Sequence, residues 1–153
     1  MPINKDFIGK SYPASPPYLV GREKIREFAT AIGDNNPAFH SVEAAQALGY
    51  SDVIAPPTFA FAVAFSTMAA AIGDPDLGID YRFVVHGEEH FEYARPIIAG
   101  DELVVINTIE EINYVRSNEM MTVRQDLQTV DGEHVVTARN TLVSRGTAPA
   151  EEA

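Results

Sequence analysis

The spacing of apolar residues changes twice along the chain. Ile25, Phe28, Ala29 and Ile32 recur at i, i+3, i+4 and i+7, one face of a helix, and Gly33 stands where a helix can stop. The stretch SVEAAQALG, 41–49, predicts a second short helix with Ser41 as N-cap, Glu43 in the first turn and Gly49 as the end. Residues 59–72 are apolar on nearly every side; Pro56, Pro57 and the capping candidate Thr58 precede them, and Gly73 and Pro75 follow. A helix without a polar face is a buried one, and this run would be about 21 Å long at the helical rise. After Ile79 the period becomes two. Strands are predicted at 81–85, 88–95, 102–114, 120–129 and 134–144, with AGDE, VRSNE and VDGEH between them and Asp131-Gly132 as a hairpin turn. Residues 1–17 read as a proline-rich extended lead-in, and PYLVGR has room for a short first strand.

This order predicts an α+β domain, an antiparallel sheet wrapped around one long central helix. The domain is expected over residues 1–145, with GTAPAEEA, 146–153, as a flexible acidic tail. A chain of 153 residues with 46% hydrophobic content can fill one core. The net charge of −11 argues against nucleic acid, because phosphate contacts need a basic surface. Cysteine is absent, which removes disulfides and thiolate metal sites and suits a reducing compartment. The first residues lack a basic stretch followed by an apolar run, and the longest apolar run falls short of the roughly 20 residues of a membrane span. A cytoplasmic protein without a membrane span is expected.

The densest polar cluster is GDNNPAFH, residues 33–40. Its plain reading is a turn between helices, since Asp, Asn and Pro are turn formers. Its chemical reading is an acid–base pair of Asp34 and His40, the imidazole being the side chain that exchanges a proton near neutral pH. A second cluster, HGEEH at 86–90, matches His-x-x-Glu-His, a zinc pattern that works only on a helix. Between strand-like flanks its histidines would lie about 13 Å apart, so no metal site is expected. Phe59, Phe61 and Phe65 have two readings, core or the lining of an acyl channel. Arg22, Lys24 and Arg26 form the local basic cluster, either a solvated helix face or a dock for phosphopantetheine, a coenzyme A phosphate or a carrier protein.

Three segments together resemble the MaoC-like dehydratases and R-specific enoyl-thioester hydratases. GDNNPAFH resembles their Gly-Asp-x-Asn-Pro-x-His signature, and DVIAPPTF resembles the loop leading into their central helix. FEYARPIIAGDEL resembles their Phe-x-x-x-x-Pro-[Ile/Val]-x-x-Gly-Asp element before a long strand. The similarity covers roughly residues 5–145 and is nearest to the N-terminal MaoC-like domain found as the HadA-type subunit of bacterial heterodimeric dehydratases. It implies a hot-dog fold, with the helices at 24–49 as an overhang above the site, and two such units side by side. The implied reaction is syn removal of water from a (3R)-3-hydroxyacyl thioester, or its reversal. Carried over by position, Asp34 and His40 are the catalytic pair and Asn36 and Pro37 support it. Pro57, Thr58, Phe59 and Ala60 are the substrate-binding start of the central helix. No metal or other cofactor is implied.

The chain departs from that pattern twice. Asp34 and His40 are six residues apart instead of five, because Ala38 and Phe39 both intervene. Pro56 and Pro57 replace the His-Gly whose glycine amide helps hold the thioester oxygen, and proline has no N–H to offer. The amides of Phe59 and Ala60 are the expected substitutes. The leading expectation is a subunit of a 3-hydroxyacyl-thioester dehydratase, a hydro-lyase acting on acyl-CoA or acyl-ACP. In it the chain shapes the acyl channel and pairs with a second, catalytic MaoC-like hot-dog chain. The alternatives are a self-sufficient homodimeric R-specific enoyl-CoA hydratase using Asp34 and His40, and a non-catalytic acyl-thioester-binding or scaffold subunit.

Overall fold

The structure, a computed structural model, describes residues 2–150. Five strands form one antiparallel sheet: β1 (Tyr18–Leu19), β2 (Val84–Tyr93), β3 (Glu102–Val115), β4 (Asn118–Thr129) and β5 (His134–Ser144), in the order β1-β3-β4-β5-β2. The segments predicted at 81–85 and 88–95 are one element. Tyr81–Phe83 is a 3-10 turn, with the Asp80 carboxylate accepting from the Arg82 amide, and the strand then runs through Gly87 instead of stopping there. Gly87 is a bulge in the pairing with β5, and a Cβ on it would lie 2.8 Å from Val143 Cγ2, so only glycine fits. The proline-rich lead-in does more than extend. Its amides at Gly9, Tyr12 and Ser15 donate to the carbonyls of Ile109, Asn107 and Val105 at 2.8–2.9 Å, which covers the outer edge of β3. The opposite edge, β2, carries no further strand among the described residues.

α1 spans Arg22–Ala31 and α2 spans Val42–Ala47; the Ser41 hydroxyl caps α2 by accepting from the Ala44 amide at 3.2 Å. The central run is not one α-helix. It comprises α3 (Phe59–Ala64), a 3-10 stretch (Phe65–Met68) and α4 (Ala69–Ile72). Thr58 holds the N-cap position of α3, but its side chain makes no capping bond. Asn107 and Gln125, on inward positions of β3 and β4, account for the interruption. Gln125 Nε2 donates to the Ala64 carbonyl at 2.9 Å and to Asn107 Oδ1 at 2.8 Å. Asn107 Nδ2 donates to the Thr67 carbonyl at 3.2 Å, and the Thr67 hydroxyl donates to the Ala64 carbonyl at 2.6 Å. Side-chain donors at these carbonyls compete with the helical ladder.

The same polar layer splits the core in two. Val20, Ile25, Phe59, Ile97, Leu103 and Leu127 belong to one cluster, and Met68, Leu77, Ile109, Met121 and Leu142 to the other. The central run is buried on one side only. Phe59, Ala60, Val63, Met68 and Ala71 face the sheet, whereas Ala62, Ser66, Ala69 and Ala70 are exposed and Phe65 is 41% exposed. Among the described residues, the curled sheet covers one side of the run and leaves the other open. At the other end, Gly146 and Ala148 donate to Asn118 Oδ1 and to the Ser117 carbonyl. The acidic end of the expected tail, 151–153, lies outside the described residues.

Candidate functional site

α1 ends at Gly33, whose φ of +74° turns the chain sharply, and the Asp34 amide closes the end by donating to the Ala29 carbonyl. Two side chains then build the loop. Asp34 Oδ1 accepts from the Asn36 amide at 3.0 Å, and Asn36 Oδ1 accepts from the Ala38 amide at 3.1 Å. Pro37 opens a 3-10 turn, Pro37–Phe39. Ala38 and Phe39 are buried inside it.

This turn decides where the imidazole goes. His40 is brought beside Asp34, but its Nε2 lies 2.8 Å from the Asp34 main-chain carbonyl, not on the carboxylate. A carbonyl only accepts, so Nε2 is the donor. Arg26 Nε donates to the His40 carbonyl at 2.9 Å and ties the loop back to α1. The basic cluster is otherwise spent on neighbours. Arg22 forms a two-oxygen pair with Asp52, Lys24 lies near Glu27, and Arg26 also pairs with Glu23.

A cleft of about 370 Å³ opens beside the motif, lined among others by Asn36, Phe39, Pro57, Tyr93 and Arg95. Of the motif's polar residues Asn36 lines it; Asp34 and His40 do not. One of the expected amide donors is occupied: the Phe59 amide donates to the Pro56 carbonyl at 2.9 Å. The Tyr93 hydroxyl donates to the Pro57 carbonyl at 2.5 Å. Burial pushes the Tyr93 hydroxyl up to about 12, so it stays protonated and keeps that bond. Tyr93 thus fastens β2 to the start of α3. Its place in FEYARP gives one sequence signal, the alternation that puts Phe91 and Tyr93 on the inward face.

Thr58 belongs to a second cleft, of about 250 Å³, whose other lining residues are Phe28, Phe61, His86, Glu89 and Phe91. His86 and Glu89 come from HGEEH. The bulge at Gly87 places both on the inward face, 3.1 Å apart, while His90 lies beside Glu92. No group of metal-ligating side chains occurs among the described residues.

A family model for the FAS1-like dehydratase domain region matches residues 6–138. A UPF0336 protein of Streptomyces avermitilis is 53% identical over 145 residues, covering 95% of this chain and 97% of the relative. Among solved structures, a chain of the HadBC (3R-hydroxyacyl-ACP dehydratase) complex from Mycobacterium tuberculosis is similar with a TM-score of 0.79 and 32% identity, over 92% of this chain and 99% of that one. A MaoC-like dehydratase gives a TM-score of 0.85 and 37% identity over 91% of this chain and 42% of its own length, so this chain spans less than half of it. The curled sheet and its helical run are a hot-dog domain, and the chain belongs to the FAS1-like dehydratase domain family of MaoC-like proteins.

Proposed function

We propose that the chain is a subunit of a (3R)-3-hydroxyacyl-thioester dehydratase, pairing with a second MaoC-like hot-dog chain that performs the acid–base chemistry. The observation that carries this reading is the half-covered central run beside an open ten-residue edge strand, β2. A second hot-dog unit on that side would cover Phe65, Ala69 and Ala70 and complete a channel between the two helical runs. The local chemistry of the motif supports the division of labour. Neither Asp34 nor His40 lines the adjacent cleft, and the Phe59 amide, one of the expected donors, is bonded within the chain. On this reading Asn36, Pro37, Pro57, Thr58, Phe59 and Ala60 shape the acyl channel. The substrate is an acyl-CoA or acyl-ACP handled in the cytoplasm.

A self-contained homodimeric hydratase is favoured by one observation, the His40 ring held beside Asp34 through its main-chain carbonyl. Turnover of crotonyl-CoA and of a longer enoyl-CoA decides between the readings. The isolated chain is expected to be slow, with full turnover when a MaoC-like partner chain is added. Full turnover by the chain alone would assign the reaction to Asp34 and His40, and no turnover in either case would leave the chain a binding subunit.

A further inference from the structure

The edge strand β2 carries a charge pattern that the fold of this chain does not use. Its ten residues include Glu88, Glu89 and Glu92 and neither Lys nor Arg. Past the Gly87 bulge the register divides them between two faces. Phe91 and Tyr93 stand opposite Ala138 and Val136 of the core, so with Glu89 they point inward. Glu88, His90 and Glu92 point outward, opposite Thr141, Arg139 and Thr137. Inside, Asn140 donates to Glu89 at 2.7 Å. Outside, Glu88 is exposed and has no hydrogen bond or ion pair among the described residues. The Glu92 side chain is 63% exposed and shares Arg139, at 3.3 Å, with Glu110.

Two antiparallel edges join with directly opposite side chains on one face. Were β2 to meet β2 of a second copy about a two-fold axis, residue i would face j and j would face i. With the axis at His90, Glu88 of each copy faces Glu92 of the other. With the axis at Glu88 or Glu92, that acid faces itself. In the placements between these, an acid faces His90. None sets a Lys or Arg of one strand against a carboxylate of the other, and like charges directly opposite are destabilising. The net charge of −11 on each copy adds repulsion at longer range. A different chain with basic side chains at the matching positions reverses the local effect: the carboxylates gain ion pairs while the open edge gains its ladder.

We propose that β2 chooses its partner by charge. It takes the edge strand of a different chain that presents Lys or Arg against Glu88 and Glu92, and the same two carboxylates keep copies of this chain from pairing with each other. This rests on the reading that a second hot-dog chain docks at β2, and adds the chemistry by which that chain is recognised. Val85, also outward and 40% exposed, offers apolar contact to any strand; Glu88 and Glu92 decide which strand is accepted.

The probe is a basic-edged copy of the full chain, Glu88→Lys with Glu92→Lys, and the readout is association by analytical ultracentrifugation. Unaltered and altered copies are expected to pair with each other about tenfold more tightly than either pairs with itself, and about 0.5 M NaCl should remove most of that advantage. Glu88→Lys alone disturbs no ion pair and should give part of the gain. Glu102→Lys with Glu111→Lys changes the net charge equally, on a strand separated from β2 by β4 and β5, and should give none. Self-association of the unaltered chain as tight as the mixed pair, absence of a mixed pair, an equal gain from the β3 changes, or a gain that survives salt would overturn the proposal. Turnover judges the dehydratase reading separately. Full turnover with a MaoC-like partner whose affinity is the same at about 0.05 M and about 0.5 M NaCl would keep that reading and overturn the choice by charge.

Discussion

A single extra residue in GDNNPAFH has a specific physical outcome. The chain passes through the turn Pro37–Phe39, and the His40 ring lies against a main-chain carbonyl. If a partner supplies the catalysis, His40→Ala and Asp34→Asn should leave the rate of the two-chain complex within about twofold. A fall of about 10²–10⁴-fold on either change, measured as kcat/KM, would give the acid–base role to this chain. Tyr93 acts differently. Tyr93→Phe leaves the Pro57 carbonyl without its partner, and should cost about 1 kcal/mol in denaturant melts. The turn at 33–40 was readable in Asp34, Asn36 and Pro37, because turn formers act locally. The orientation of His40 and the bond from Tyr93 to the Pro57 carbonyl were not, since both depend on groups that meet only after the chain folds.

Among the elements, the strands were the most legible. Period-two alternation survives wherever one face is buried, and β5 falls where its pattern put it, at His134–Ser144. The central run was legible in extent but not in form. Its own residues carry no breaker; the interruption comes from Asn107 and Gln125, far away in sequence. Gln125→Leu should remove the donor from Ala64 O and leave Asn107 Oδ1 weakly served, costing about 1–3 kcal/mol by equilibrium unfolding. The burial of the run is equally uneven. Phe59→Ala should cost about 3–5 kcal/mol, because the ring is fully buried and meets Phe28 edge-on at 5.4 Å. Phe65→Ala should cost much less in the isolated chain, since that ring lies on the open side. Matching losses for the two would contradict the one-sided burial.

At the scale of the molecule, Phe65 on the run's open side and Val85 in the edge strand β2 are both at least 40% exposed. Light scattering is expected to find two hot-dog units together, and Phe65→Lys with Val85→Lys should separate them. A species of single-chain mass at micromolar concentration, for the unaltered protein and its partner alike, would contradict this. The two margins of the sheet are unequal. The strap at residues 9–15 occupies one, and its Pro13, with Pro16 and Pro17 just beyond, has no amide proton to extend the ladder. The sheet therefore has a valence of one: a joined pair has nothing left to offer, and growth stops there. Removing residues 2–17 would raise that valence to two and turn a self-terminating assembly into one that can lengthen into filaments.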